Sequence, residues 1–452
     1  LLLDIEKLIY GGDGLARLPA DVAADPSQSR GKAVFLPFVL AGERVEATLT
    51  EQKPGFARAR ADAVVEASPK RVEPACPYFG RCGGCHYQHA SYEHQLQIKT
   101  EILRETLRRT AKLELEQEIA VHPSPPWNYR NRARLQVQTA PTFAAGYYET
   151  GSHKLLPVEE CPISSPLINR GIAALWAGGR ACKVPIGIRE LEFFANADDS
   201  QLLIEISCGS GVRRASVRGW AEEWRSAMPE VAGVVAFRDE ASRPHAGAQA
   251  APVKFFTLGS DHLIYQTRRG AYRVSAGSFF QTNRFLTDEL VEIVTAGESG
   301  TLAFDLYAGV GLFSTALSEF NRIISVESSQ TSTADLSYNQ PSNAEAVQAS
   351  TEQYLARTEN SGWVGKGGVL PHTVHKPDLA VVDPPRSGLG ERVAGLLAKM
   401  GAPRITYVSC DPATLARDLV TLIAAGYRVK EVHLIDLFPQ TYHMESVVRL
   451  AK

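Results

Sequence analysis

The pattern of apolar and polar positions changes character several times along the chain, and each change marks a boundary. Residues 1 to 66 carry short alternating runs, KAVFLPFV and ERVEATLT, separated by the turn signals GGDG, LAGE and KPGF. Short strands with frequent turns predict a small OB-like β-barrel. The stretch 91–110 places Ile98, Ile102, Leu103 and Leu107 on one face behind a possible Ser91 cap, which predicts an amphipathic helix able to pack on another body. From 121 to 274 the alternating segments RARLQVQ, QLLIEIS and HLIYQTRRGAYRV predict a mainly β region. Beyond 275 apolar strands alternate with helical segments: TLAFDLYAG, a helix, RIISVE, a helix, DLAVVDPP, a helix, ITYVSC, a helix, YRVKEVHLIDLFP and ESVVRLA. That order predicts a Rossmann-like α/β domain, a parallel sheet with an antiparallel edge at its C-terminal end. The piece 356–377 has loop composition and is expected outside the sheet. The expected fold is therefore multidomain, with divisions at 1–66, 67–274 and 275–452.

Length agrees, since 452 residues exceed one ordinary core. The 48 Lys and Arg nearly balance 50 Asp and Glu, for a net charge of -2. A nucleic-acid partner would then need local basic patches, and Arg130, Arg132 and Arg134 in NYRNRARLQV alternate as one such patch. No run reaches a membrane span and the start resembles no signal peptide, so a cytoplasmic, membrane-independent monomer is expected. The chain begins at Leu1, which leaves room for a short leader. Seven cysteines without a secretion signal argue for metal or catalytic use over disulfides, with Cys182 and Cys208 read as small buried residues.

Four constellations carry chemistry. In DLYAGVG, Asp305 ends a strand, Gly309 and Gly311 permit a tight turn at a ligand, and Glu327 closes the next strand, where a carboxylate accepts hydrogen bonds from ribose hydroxyls. Without a full phosphate-binding fingerprint this favours S-adenosylmethionine over NAD. In DPPR, Asp383 ends an apolar strand at the ligand edge and two prolines stiffen the floor. Cys410, in SCDPATLARD, is placed to add as a thiolate to carbon 6 of a uracil, which makes carbon 5 nucleophilic. Glu445, in HMESVV, is placed to remove the carbon 5 proton afterwards. Finally, Cys76, Cys82 and Cys85 in CPYFGRCGGC, with Cys161 in VEECPI, form a metal site that spacing alone leaves open between an iron-sulfur cluster and zinc.

Together these motifs resemble the bacterial RNA uridine C5-methyltransferases, and within them the ribosomal RNA enzymes that carry an iron-sulfur cluster. GERVEATL and its turns look like that family's TRAM barrel, CPYFGRCGGCHYQHASYEHQLQIK like its cluster loop, and NYRNRARLQV, GYYETGSHKLLPVEECPI and SFFQTN like its central region and entry to the catalytic domain. The resemblance implies a 4Fe-4S cluster on Cys76, Cys82, Cys85 and Cys161. It also implies that Gln281, Tyr307, Glu327 and Asp383 line the cofactor and substrate pocket, that Arg386 places the target nucleotide, that Cys410 is the nucleophile and that Glu445 is the proton acceptor. Two positions depart from the pattern: Leu312 stands where Asn is frequent, and the acidic or amide residue near the adenine is replaced around Ser350.

The implied partner is RNA, with 23S ribosomal RNA favoured over a transfer-RNA T-loop by the barrel and the four cysteines. A cytosine C5-methyltransferase would be expected to use a second active-site cysteine, and an amine methyltransferase an aromatic residue where Arg386 stands. A non-catalytic RNA-binding factor would need neither Cys410 nor Glu445.

Overall fold

The computed structural model describes residues 1–18, 31–238, 253–360 and 376–452. The N-terminal part is a six-stranded sheet whose strands include Asp13–Arg17, Ala33–Pro37, Arg44–Gln52 and Phe56–Glu66. Their alternation buries Val34, Leu36, Val45, Ala47, Ala57 and Ala59 in one small core while their neighbours face outward.

A second sheet of seven strands is built from Arg132–Gln138, Ile188–Ala195, Leu202–Cys208 and Val231–Arg238 with their neighbours. Two helices, Pro166–Arg180 and Arg214–Ala227, cover it through Ile168, Ile172, Leu175, Trp220 and Trp224. The expectation of a mainly β region misses both helices. The first carries a legible start, because the Ser165 hydroxyl accepts from the Ile168 amide and Pro166 opens the first turn.

The third sheet has eight strands in the order Ala344–Gln348, Phe320–Glu327, Gly300–Leu306, Leu379–Val382, Arg404–Ser409, Glu445–Ala451, Arg428–Ile435 and Ala120–His122. The first five run parallel, and Glu445–Ala451 is inserted antiparallel between two neighbours. Strand Ala120–His122, read from sequence as the start of the central region, is the far edge of this catalytic sheet. Between Gly300–Leu306 and Phe320–Glu327 there is one 3-10 turn, Ser314–Ala316, where a helix was expected. Tyr307, Gly309 and Gly311 all adopt positive φ there, and the few residues left send Leu312, Phe313 and Leu317 into the core. The expected loop 356–377 opens helically, since Thr351–Asn360 is an α-helix; positions 361–375 lie outside the described residues.

Helix Tyr92–Thr110 follows the predicted pattern and packs its Ile98, Ile102, Leu103 and Leu107 against Leu415, Leu419 and Leu422 of the catalytic body. On the same buried face lies Lys99, whose Nζ meets Asp436 at 2.6 Å with both side chains fully excluded from solvent. Burial pushes the lysine pKa down and the aspartate opposes it. Removing one partner leaves the other charge buried and unpaired, a cost of about 3–5 kcal/mol. We therefore expect Lys99→Met to lower the urea midpoint sharply and the double variant Lys99→Met, Asp436→Asn to recover most of the loss. Equal instability of single and double variants would show that the pair acts through packing alone.

Candidate active site

The site lies at the carboxyl ends of the parallel strands. After Gly300–Leu306 the chain turns through Tyr307 at φ 67° and Gly309 at φ 57°. Glu327, ending the adjacent strand, accepts from the Gly309 amide at 3.0 Å and the Ser329 amide at 2.6 Å, so one carboxylate ties both turns together. Beneath them Asp305 is fully buried and accepts from the Ser314 hydroxyl; burial pushes its carboxyl up to about 6. Leu312 joins the core, and its carbonyl accepts from the Tyr272 hydroxyl. Ser350 and Gln353 cap the helix Thr351–Asn360 reciprocally, Ser350 Oγ accepting from the Gln353 amide at 3.1 Å.

Asp383 follows the strand Leu379–Val382. Burial, incomplete at this residue, and the charge of Asp305 push its carboxyl up to about 7. Cys410 follows the neighbouring strand Arg404–Ser409, and Asp411 then caps helix Pro412–Ala424 by accepting from the Ala413 and Thr414 amides at 2.9 Å. Antiparallel register pairs Ser409 with Ser446, which sets Glu445 beside Cys410 at the same edge. Glu445 is 4% exposed and its Oε1 has no hydrogen-bond partner within the protein. Burial, and then the charge of Asp383, hold its carboxyl well above the usual range, with Arg386 opposing. Burial, then Glu445 and Asp383, push the Cys410 thiol up to about 12; Arg386 again pulls the other way.

The structure thus brings Cys410, Glu445, Asp383 and Arg386 into one electrostatic group, with Tyr307 and Glu327 on the glycine-turn side. Gln281 stands outside those contacts. It is buried in a segment whose Asn283 donates to the Leu437 carbonyl at 3.1 Å. Sequence reasoning missed an aromatic cluster at the pocket mouth. The Tyr10 hydroxyl, from the N-terminal sheet, donates to the Cys410 carbonyl at 3.5 Å. Its ring meets Tyr442 edge-on at 5.5 Å, and Tyr442 in turn packs on His86 and His443 at 4.5 and 4.1 Å. His443 Nε2 lies 3.5 Å from Arg386, and burial pushes this imidazole down to about 3. Its nearness in sequence to Glu445 was the available signal.

Cys76, Cys82, Cys85 and Cys161 are all free thiols and line one cavity of about 190 Å³ together with Arg130 and Arg134. Burial, with further repulsion from Cys161, pushes Cys82 up to about 11 and raises Cys76 and Cys85 as well. Among the described residues no three His, Cys, Asp or Glu side chains converge closely enough to hold a single metal ion. The arginines expected to contact RNA have partners within the protein. Arg132 pairs with Glu192 at 3.2 Å and Arg134 with the same carboxylate at 2.6 Å, while Arg130 donates to the Arg132 carbonyl. Arg132 and Arg134 share Glu192 from one strand, and Arg130, just before that strand, lines the cysteine cavity with Arg134. Among the described residues no helix is long and apolar enough to cross a membrane.

Comparison with known proteins agrees with this geometry. The profile of the tRNA (Uracil-5-)-methyltransferase family matches residues 256–452, and that of the TRAM domain matches residues 1–61. An uncharacterized RNA methyltransferase of Aquifex aeolicus is 33% identical over 457 residues, covering 100% of this chain and 98% of the relative. A 23S rRNA (uracil(1939)-C(5))-methyltransferase of Pseudomonas putida is 30% identical over 461 residues, covering 98% and 92%. In fold, the chain is similar to the Pyrococcus abyssi tRNA (uracil-54, C5)-methyltransferase solved with S-adenosyl-L-homocysteine, with a TM-score of 0.72, 23% identity and full coverage of both chains. A TRAM domain at one end, a methyltransferase fold at the other and full-length similarity between them place this chain in the RNA uracil-5-methyltransferase family.

Proposed function

We propose that this enzyme methylates carbon 5 of a uridine in 23S ribosomal RNA through a covalent adduct on Cys410. The observation that carries this reading is the register between Ser409 and Ser446, which sets a thiol and a buried, unpartnered carboxyl side by side at the ligand edge. The Cys410 thiolate adds to carbon 6 of the ring, and the electron pair moves to carbon 5. Carbon 5 attacks the methyl of S-adenosylmethionine, so that the carbon–methyl bond forms as the sulfur–methyl bond breaks and S-adenosylhomocysteine leaves; the positive sulfonium also favours the ionised forms of the thiol and carboxyls around it. Glu445 then takes the proton from carbon 5; the released pair restores the 5,6 double bond and expels the thiolate. Arg386 is the cation that offsets both Cys410 and Glu445 and is placed to hold the target nucleotide. Asp383, Glu327, Tyr307 and Gln281 are assigned to the cofactor and substrate walls.

Loss of the nucleophile and loss of the base should stop the reaction at different points. Cys410→Ala should form no adduct and transfer no methyl. Glu445→Gln should add and methylate, then stall before elimination, leaving protein joined to methylated RNA as a retarded band on a denaturing gel. Wild-type turnover by Glu445→Gln without a trapped band would remove Glu445 from this role.

For the target, support comes from full-length relatives that act on 23S rRNA, together with the TRAM domain. Nucleotide-resolved mapping of 5-methyluridine in cells with and without the protein should show one position lost from 23S RNA. Loss confined to the transfer-RNA T-loop would reassign the substrate.

The four-cysteine cavity fits a 4Fe-4S cluster. Its size, four thiols free of disulfides and two adjacent guanidiniums suit a bulky anionic centre that cross-links the loop of residues 76–85 to Cys161. Anaerobically purified protein should carry iron and sulfide and absorb broadly at about 400 nm. Cys82→Ser should lose the absorption and lower thermal stability. Stoichiometric zinc without iron would overturn the cluster.

A further inference from the structure

Two cavities of about 370 Å³ each flank the outer face of the N-terminal sheet and share Ile9, Tyr10 and Phe35. The first runs between that sheet and the cysteine loop, walled by Phe35, Phe38, Arg58 and His86. Its floor is the turn Gly11–Gly12, at φ 106° and 94°, where side chains are absent and a Cβ on Gly12 would lie 3.2 Å from the His86 Cβ. Phe38 occupies the left-handed region at φ 62°, which a bulky side chain avoids unless its surroundings hold it there, and it packs edge-on against Phe79 of the cysteine loop at 5.2 Å. Arg58 is half exposed and anchored at 3.1 Å to Asp13, which also lines the cleft. Nδ1 of His86 makes no hydrogen bond within the protein.

Tyr10 joins this cleft to the chemistry. One side of it lines the cleft, while its hydroxyl reaches the Cys410 carbonyl and its ring meets Tyr442 three residues ahead of Glu445. A uridine that reaches Cys410 must leave its stack, which strips stacking from its neighbours as well. A concave site of this volume, faced with aromatic rings and one guanidinium, offers such a neighbour a replacement. We propose that the cleft is a subsite for one unstacked nucleobase of the same RNA strand, beside the target uridine. Phe35 and Tyr10 provide the stacking faces, and Arg58 donates to the base edge or its phosphate. The inference rests on the Cys410 pocket receiving the target, and it implies an RNA substrate that is single-stranded or remodelled at the site.

The test uses the full-length protein and 23S RNA transcribed with 4-thiouridine, irradiated and mapped by mass spectrometry. Crosslinks at Tyr10, Phe35 or Phe38 are expected; crosslinks confined to other surfaces overturn the proposal. As a second measurement, Phe35→Ala should weaken RNA affinity by about tenfold, the order of one lost base–aromatic stack. Affinity for S-adenosylmethionine should hold, and Phe35→Tyr should restore RNA affinity. Parallel loss of both affinities without rescue by tyrosine would make Phe35 a folding residue and sink the subsite. Cleft crosslinks without methyl transfer would refute the proposed reaction and leave the subsite standing, whereas methyl transfer without them would do the reverse.

Discussion

The buried pair Lys99–Asp436 is the constraint on which the catalytic edge depends. Asp436 follows the last strand residue, Ile435, and the eight residues from Leu437 to Met444 must cross the site without strand pairing before Glu445 begins the next strand. A loop at that depth survives only if its polar backbone is met. Lys99 donates to the Phe438 carbonyl at 3.0 Å, the Tyr129 hydroxyl to Pro439 at 3.0 Å, and Asn283 to Leu437 at 3.1 Å. Gln95 and Gln440 bond reciprocally, Nε2 to Oε1 and amide to Oε1, each at 2.9 Å. The helix Tyr92–Thr110 thus works as a fixed wall for the loop that positions Glu445.

That rigidity bears on the electrostatics. Asp305, Asp383, Glu445 and Cys410 crowd one edge with Arg386 as the cation that opposes the last two, so each acid holds its proton more tightly than in water. Such a group resists charging until a cation arrives. In the proposed reaction the sulfonium is that cation, so ionisation would be coupled to cofactor binding.

How much of this was legible follows from where each signal resides. Cys410, Asp383 and Glu445 sit at strand ends whose apolar runs are unmistakable, so the ligand edge of the catalytic sheet could be read from sequence. The helix Tyr92–Thr110 was legible by its period, yet Lys99 on its buried face was not, because a lysine becomes an interior residue only through a partner 337 positions away. Strand Ala120–His122 is too short to announce which sheet it joins. Tyr10 and His86 were illegible for a related reason: nothing local marks them, and they matter because two other chain segments fold against the pocket. The arginines of NYRNRARLQV were legible as a strand alternation, but their pairing with Glu192 was not, because Glu192 lies on an adjacent strand far along the chain.

The antiparallel strand explains why Cys410 and Glu445 can be neighbours at all. Parallel strands deliver their last residues to the ligand edge, so Asp305, Glu327, Asp383 and Cys410 all come at or just after a strand end. A strand running the other way delivers its first residue to the same edge. Glu445 is that residue: it pairs with Ile435 on one side, and Ser446 next to it pairs with Ser409 on the other. A carboxyl carried on a loop would share the loop's motion, whereas here the backbone that bears it is held by strand pairing and its approach by the pinned segment before it. The cysteine loop takes part in that pinning, because the His86 and Tyr87 amides both donate to the Gln440 carbonyl, at 2.8 and 2.9 Å. The backbone that follows Cys85 and the backbone that leads to Glu445 are therefore one hydrogen-bonded unit, and the four-cysteine cavity and the Glu445 carboxyl share a mechanical frame.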